Sequence, residues 1–135
     1  MSATPNQQSQ RDMSMSAFGT TLETFAKHYS QVEIAILYDS LGETIDYYSS
    51  QDPFVTRLAA AHHGLISSSV QARFEWLKLG KIEVVEISAT QLDSLTVEIG
   101  EEIYLTVVVT HASGDATLLD ALHTLAAQLR VEIDL

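Results

Sequence analysis

Eight residues toward the end of the chain, Ile103-Tyr104-Leu105-Thr106-Val107-Val108-Val109-Thr110, set the tightest limit on its fold. In a strand, Ile103, Leu105, Val107 and Val109 share one face, and Tyr104, Thr106 and Val108 the other. A strand this apolar on both faces belongs at the centre of a sheet, with a covering layer on each side. Its neighbours in sequence are strands too. Leu95, Val97 and Ile99 alternate with Ser94, Thr96 and Glu98, and Lys81 to Ser88 is rich in Ile and Val. A short turn at Gly100-Glu101 and other short links make all three antiparallel neighbours.

The first half of the chain supplies a hairpin. Val32, Ile34, Ile36 and Tyr38 alternate with Glu33, Ala35 and Leu37, and Asp39-Ser40-Leu41-Gly42 forms a tight turn with positive φ at glycine. Glu43 to Tyr48 returns, with Ile45 and Tyr47 expected on one face.

Three helices supply the layers. Phe18, Leu22, Phe25 and Tyr29 recur at helical spacing, with Ser16 as cap and Gly19 as a weak point. Asp52-Pro53 starts a long helix, expected to reach Leu79 with Gly80 just beyond its end. Phe54, Leu58, His62, Leu65, Ser69 and Val70 trace its apolar face, extended by Phe74 and Leu77, while Gly64 and Ser67-Ser68-Ser69 thin its middle. Asp115 caps a last helix to about Arg130, with a stripe of Leu118, Leu122, Leu125 and Leu129. The fold class is therefore α/β: an α/β/α sandwich with one five-stranded antiparallel sheet in the order α-β-β-α-β-β-β-α. The expected organisation is a disordered tail over 1–16, one domain over 17–131 and a short tail over 132–135.

Composition narrows function. The 135 residues are 46% hydrophobic, carry no cysteine and have a formal net charge of -11. Thiolate chemistry, disulfides and zinc–thiolate sites are excluded. Phosphate backbones and anionic lipid would repel such a chain, so neither nucleic acid nor membrane is an expected partner. The Ser- and Gln-rich start lacks the apolar run of a secretory signal, which leads to a cytoplasmic expectation.

The search for catalytic constellations is mostly negative. GxxxxGK[ST], GxGxxG and GxSxG are all missing, so no phosphate-cradling loop or nucleophile elbow exists. His62 and His63 point about 100° apart on a helix and do not share a metal from one face. They read as a packed or interface pair. His111, Ser113 and Asp115 have triad residue types, but Ser113-Gly114-Asp115 is better explained as a turn and cap. Glu83, Glu86, Glu98, Glu101 and Glu102 lack calcium-loop spacing and read as a solvated face. No cofactor is implied. Trp76, the single tryptophan, sits among Arg73, Glu75 and Lys78; core packing and an interface anchor are both open to it. The strand Lys81 to Ser88, if at a sheet edge, offers unpaired backbone groups to a second copy, with Lys81, Glu83 and Glu86 as the alternative guard.

These elements together resemble the Roadblock/dynein-light-chain domain, an outline shared with longin and profilin sheets. The resemblance rests on the hairpin Val32–Asp39 and Gly42–Ile45, the helix segment Leu58-Ala59-Ala60-Ala61, Leu79-Gly80 before a Val/Ile strand, and Leu95–Leu105 followed by Leu118–Leu129. It implies homodimers formed through the long helix and the strand after it. It also implies scaffold or regulator roles, often with small Ras-like GTPases, and in some bacterial members assistance to GTP hydrolysis without an arginine finger. The serine run Ser67 to Ser69 and the Ser- and Gln-rich start depart from the family pattern; family sequences are very divergent, so GTPase activation is not carried over.

The expected function is a non-catalytic homodimeric scaffold or regulator that binds a small Ras-like GTPase. The alternatives are an adaptor subunit of a motility or signalling complex without a GTPase, and a small-ligand sensor with a pocket between helix and sheet. The expected dimer contacts are Ile82, Val84, Glu86, His62, Leu65 and Ser69. The expected partner contacts are Arg57, Gln71, Arg73, Glu75, Trp76 and Lys78.

Overall fold

The computed structural model describes residues 14–110 and 116–134. Its elements are α1 (Ala17–His28), β1 (Val32–Asp39), β2 (Thr44–Ser49), α2 (Pro53–Trp76), β3 (Val85–Ser88), β4 (Asp93–Gly100), β5 (Ile103–Val109) and α3 (Ala116–Asp134). The strands form one sheet in the order β2-β1-β5-β4-β3, antiparallel throughout. The doubly apolar β5 is central, as its side chains require.

The two faces of the sheet are covered differently. On one, α1 contributes Leu22 and Phe25, and α3 contributes Leu118, Leu122, Leu125 and Leu129, above Ala35, Leu37, Leu95, Val97, Ile99, Leu105, Val107 and Val109. This is the main core. On the other, a smaller cluster of Ile34, Ile36, Tyr38, Tyr47, Ala60 and Val108 lies beneath α2.

Two β-bulges move side chains from where simple alternation puts them. The β1–β5 register shifts between Val32 and Ile34, so Val32 joins the α1/α3 core, opposite Ile34 and Ile36. The β1–β2 register shifts between Leu37 and Tyr38, where the partner passes from Asp46 to Thr44. Ile45 therefore packs toward the main core while Tyr47 lies under α2, and the expectation of a shared face is corrected.

The start of α1 is held by a buried carboxylate. Ser16 caps the helix by accepting from the Phe18 and Gly19 amides, and Asp46 Oδ2 accepts from Ser16 N at 2.8 Å and Ser16 Oγ at 2.6 Å. Gly19 is required by this approach: a Cβ there would lie 2.6 Å from Asp46 Oδ2 and 2.8 Å from Met15 Cγ.

Three element ends differ from expectation. β3 is only Val85–Ser88, so residues 81–84 lie outside the ladder; α3 continues to Asp134, so residues 131–134 are helical. Helix α2 ends at Trp76, and the residue that turns the chain is Lys78, with φ 58°, rather than Gly80. Lys78 N donates to Glu75 O and Leu79 N to Phe74 O, the paired bonds of a Schellman motif.

Both backbone features are testable by urea unfolding. Gly19→Ala is expected to cost about 1–3 kcal/mol through overpacking. Lys78→Gly is expected to stabilise by about 1 kcal/mol by relieving the left-handed side-chain penalty.

Candidate functional site

Helix α2 carries its large apolar side chains on the side away from its own sheet. The inner row is Thr56, Ala60, Gly64 and Ser67, all small and all buried. The outer row holds Leu58, His62, Leu65, Ser69 and Trp76, at helical spacing and all exposed; Leu65 is 72% and Trp76 82% exposed, and Phe54 beside them is 69%. The apolar stripe read from the sequence is therefore real, but it faces outward. Phe74 does not extend that stripe: it stands seven residues on from Ser67, in the inner row, yet remains exposed because the burial of α2 ends at Ser67. Residues 72–81 are exposed all round.

This surface continues onto the sheet edge. Among the described residues β3 has a neighbour, β4, on one side only. Leading into it, Ile82 N donates to Gln71 Oε1 at 3.0 Å, which pins the segment to α2, and Lys81 Nζ pairs with Glu98 Oε1 at 2.5 Å.

Beneath α2 lies a hydrogen-bonded layer. The Tyr38 hydroxyl meets Thr106 Oγ1 at 2.7 Å, and Thr106 Oγ1 meets Thr96 Oγ1 at 2.8 Å. Beside them Tyr104 stacks on Tyr38 with ring centroids 5.8 Å apart. His63 joins the layer: Nδ1 lies 2.8 Å from Ala59 O and Nε2 3.0 Å from Ser94 Oγ. Burial holds the Tyr38 phenol above its ordinary 10.0, with the hydroxyls of Thr106, Thr96 and Ser67 pulling the other way. The cavity at this level, between Ser67, Gln71, Thr96 and Tyr104, is only about 20 Å³, room for roughly one water. That filling counts against a ligand sensor built between α2 and the sheet.

Known structures share this fold. The Roadblock/LC7 domain from Streptomyces avermitilis superposes with a TM-score of 0.79 at 14% identity, over 87% of this chain and 98% of that one. The chain has the Roadblock/LC7 fold. Myxococcus xanthus MglB matches with a TM-score of 0.79 at 9% identity, over 90% of this chain and 98% of that one. The gliding protein MglB from Thermus thermophilus gives 0.73 at 14%, over 87% and 92%. Neither a protein-family model nor a curated protein sequence matches the chain.

In this Roadblock/LC7 fold the residues expected from sequence fall into three places. His62, Leu65, Ser69, Arg73 and Trp76 share the exposed outer row of α2, so the expected dimer and partner contacts are not separate there. Glu75 and Lys78 are exposed at the helix end, and Glu86 at the β3 edge. Four others are half-buried rather than exposed: Arg57, Gln71 with its amide oxygen bonded to Ile82, Ile82 itself, and Val84, which packs against the main core. Among the described residues, no group of three His, Asp or Glu is placed to hold a metal. No helix of the described residues is long and apolar enough to cross a membrane. His111, Ser113 and Asp115 lie outside the described residues. The large residues Val55, Ile66 and Leu79, also exposed on this surface, were missed as site residues, because a helical stripe read alone is assumed to face inward.

Tyr38→Phe tests the layer. It is expected to cost about 1 kcal/mol near neutral pH by removing one buried hydroxyl contact. The unfolded chain ionises this phenol near 10.0 and the folded chain only above it, so stability contributed below 10.0 is lost as pH rises through the folded value. Urea titrations should therefore show the gap between wild type and Tyr38→Phe narrowing above pH 10.

Proposed function

We propose that this chain is a non-catalytic homodimeric scaffold or regulator that presents its paired α2 helices to a small Ras-like GTPase. The observation that carries the reading is the inverted helix: Leu58, Leu65 and Trp76 point away from the sheet, beside a strand edge with a neighbour on one side only among the described residues. A contiguous apolar face of this kind marks an interaction surface. Burying a leucine or phenylalanine there contributes about 1.5–3 kcal/mol each.

A second copy is the natural cover. In a two-fold pairing the outer row of α2 from Leu58 to Ser69 meets itself and β3 meets β3 antiparallel, which extends the sheet. A structural neighbour described as MglB with tetrameric arrangement, TM-score 0.74, supports self-association in this fold. The Roadblock/dynein-light-chain resemblance supplies the Ras-like GTPase as partner class. Arg73, Glu75, Trp76 and Lys78 at the end of α2 are the proposed partner contacts, with His62, Leu65, Ser69 and Glu86 between copies.

Light scattering checks the dimer. Wild type should have twice the chain mass, and Leu65→Glu should weaken the dimer by about 30-fold or more, as for a central interface residue. Val84 is a poor probe, because it packs on the main core. Titration with the nucleotide-loaded Ras-like GTPases of the same genome tests the partner: wild type should bind at least one, and Leu65→Glu more weakly. Binding to none of them rejects the GTPase reading.

A further inference from the structure

The end of α2 has a charge opposite to that of the molecule. The chain carries a formal net charge of -11, yet three of its seven Lys and Arg residues, Arg73, Lys78 and Lys81, lie within residues 73–81, with Glu75 the sole acid there; Lys81 is taken up by its pair with Glu98, so Arg73 and Lys78 carry the excess. The same nine residues hold Phe74, Trp76, Leu77 and Leu79, all exposed. The Schellman turn at Lys78 projects this cationic, aromatic tip beyond the cover of the sheet. Beneath it an open cleft of about 520 Å³ is lined by Gln71, Glu75, Lys78, Gly80, Lys81 and Glu98. Two-fold pairing centred on Leu58 to Ser69 leaves the tip, with Phe74, Trp76, Lys78 and the cleft, uncovered.

We propose that this tip is the recognition surface for a short acidic segment of a partner protein, one that carries aliphatic side chains between its carboxylates. The inference rests on the proposed reading of α2 as an interaction surface and adds the chemistry of what docks there. Complementarity of charge selects the acid, and the exposed indole between Arg73 and Lys78 selects an apolar contact beside it. The occupant is limited in length. Glu83, Glu86, Glu98, Glu101 and Glu102 follow in the chain, and an extended polyanion such as nucleic acid or a lipid surface would meet them.

Trp76 is the single tryptophan, so its emission reports on the end of α2. The full chain is titrated with a short glutamate/leucine peptide, and with its glutamine/leucine counterpart as neutral control. The acidic peptide should shift Trp76 emission to the blue, bind more tightly than the neutral one, and weaken about tenfold on going from low to about 0.5 M salt. Arg73→Glu combined with Lys78→Glu should reduce binding about tenfold or more, with thermal unfolding confirming that the variant is folded. No blue shift, equal binding of the neutral peptide, or full binding by the charge-reversed variant overturns the proposal. So does a wild-type dimer that ignores the peptide but falls apart on charge reversal, which would assign the tip to a second copy. Light scattering on the same samples separates the two readings. A dimer that binds no acidic peptide sinks only the tip, and a monomer that binds it sinks only the dimer.

Discussion

Helix α2 meets its sheet through Thr56, Ala60, Gly64 and Ser67, none larger than threonine. The fit is close: a Cβ on Gly64 would sit 3.4 Å from Gly42 Cα, and one on Gly42, at φ +81°, would sit 2.8 Å from Ala61 Cα. Two glycines thus let the helix lie against the β1–β2 hairpin, and a buried hydroxyl layer of Tyr38, Thr96 and Thr106 fills the space beneath it. Once the small side faces in, the large side chains of the helix have only one direction left. The outward apolar face, the uncovered tip and the close filling beneath α2 all follow from that contact.

The asymmetry of the core makes this possible. Among the described residues, eighteen buried hydrophobic side chains form the cluster under α1 and α3, against six under α2. Burial of the first set supplies most of the hydrophobic driving force. The α2 side is left to small residues and hydrogen bonds, and the helix is free to place its leucines and tryptophan elsewhere.

Much of this architecture was legible in the sequence. The central place of Ile103–Val109 followed from its two apolar faces, the Asp39–Gly42 turn from its residue types, and the Ser16 cap from its position before Phe18. What was not legible required contacts distant in sequence. Val32 and Ile45 change face because of bulges, which alternation alone does not encode. Gly19 read as a weakness in a helix, whereas Asp46, 27 positions later, makes it a necessity. In the sequence the inner row of α2 shows only as thinness at Gly64 and Ser67, because periodicity locates an apolar stripe without saying which side the sheet will take. Trp76, open in the sequence between core and interface, is not in the core, because the cover of the sheet ends at Ser67.

The central claim is that the outer face of α2 is an interface between two copies of this chain. The chain contains no cysteine, so a single introduced thiol can be labelled uniquely. Spin labels on Ser69→Cys, in the outer row of α2, and separately on Thr124→Cys, exposed on α3 across the sheet, would be compared by double electron–electron resonance in solution. The account predicts a dipolar coupling at Ser69 whose distance is clearly shorter than that at Thr124. No coupling at Ser69, or a shorter distance at Thr124, would contradict it.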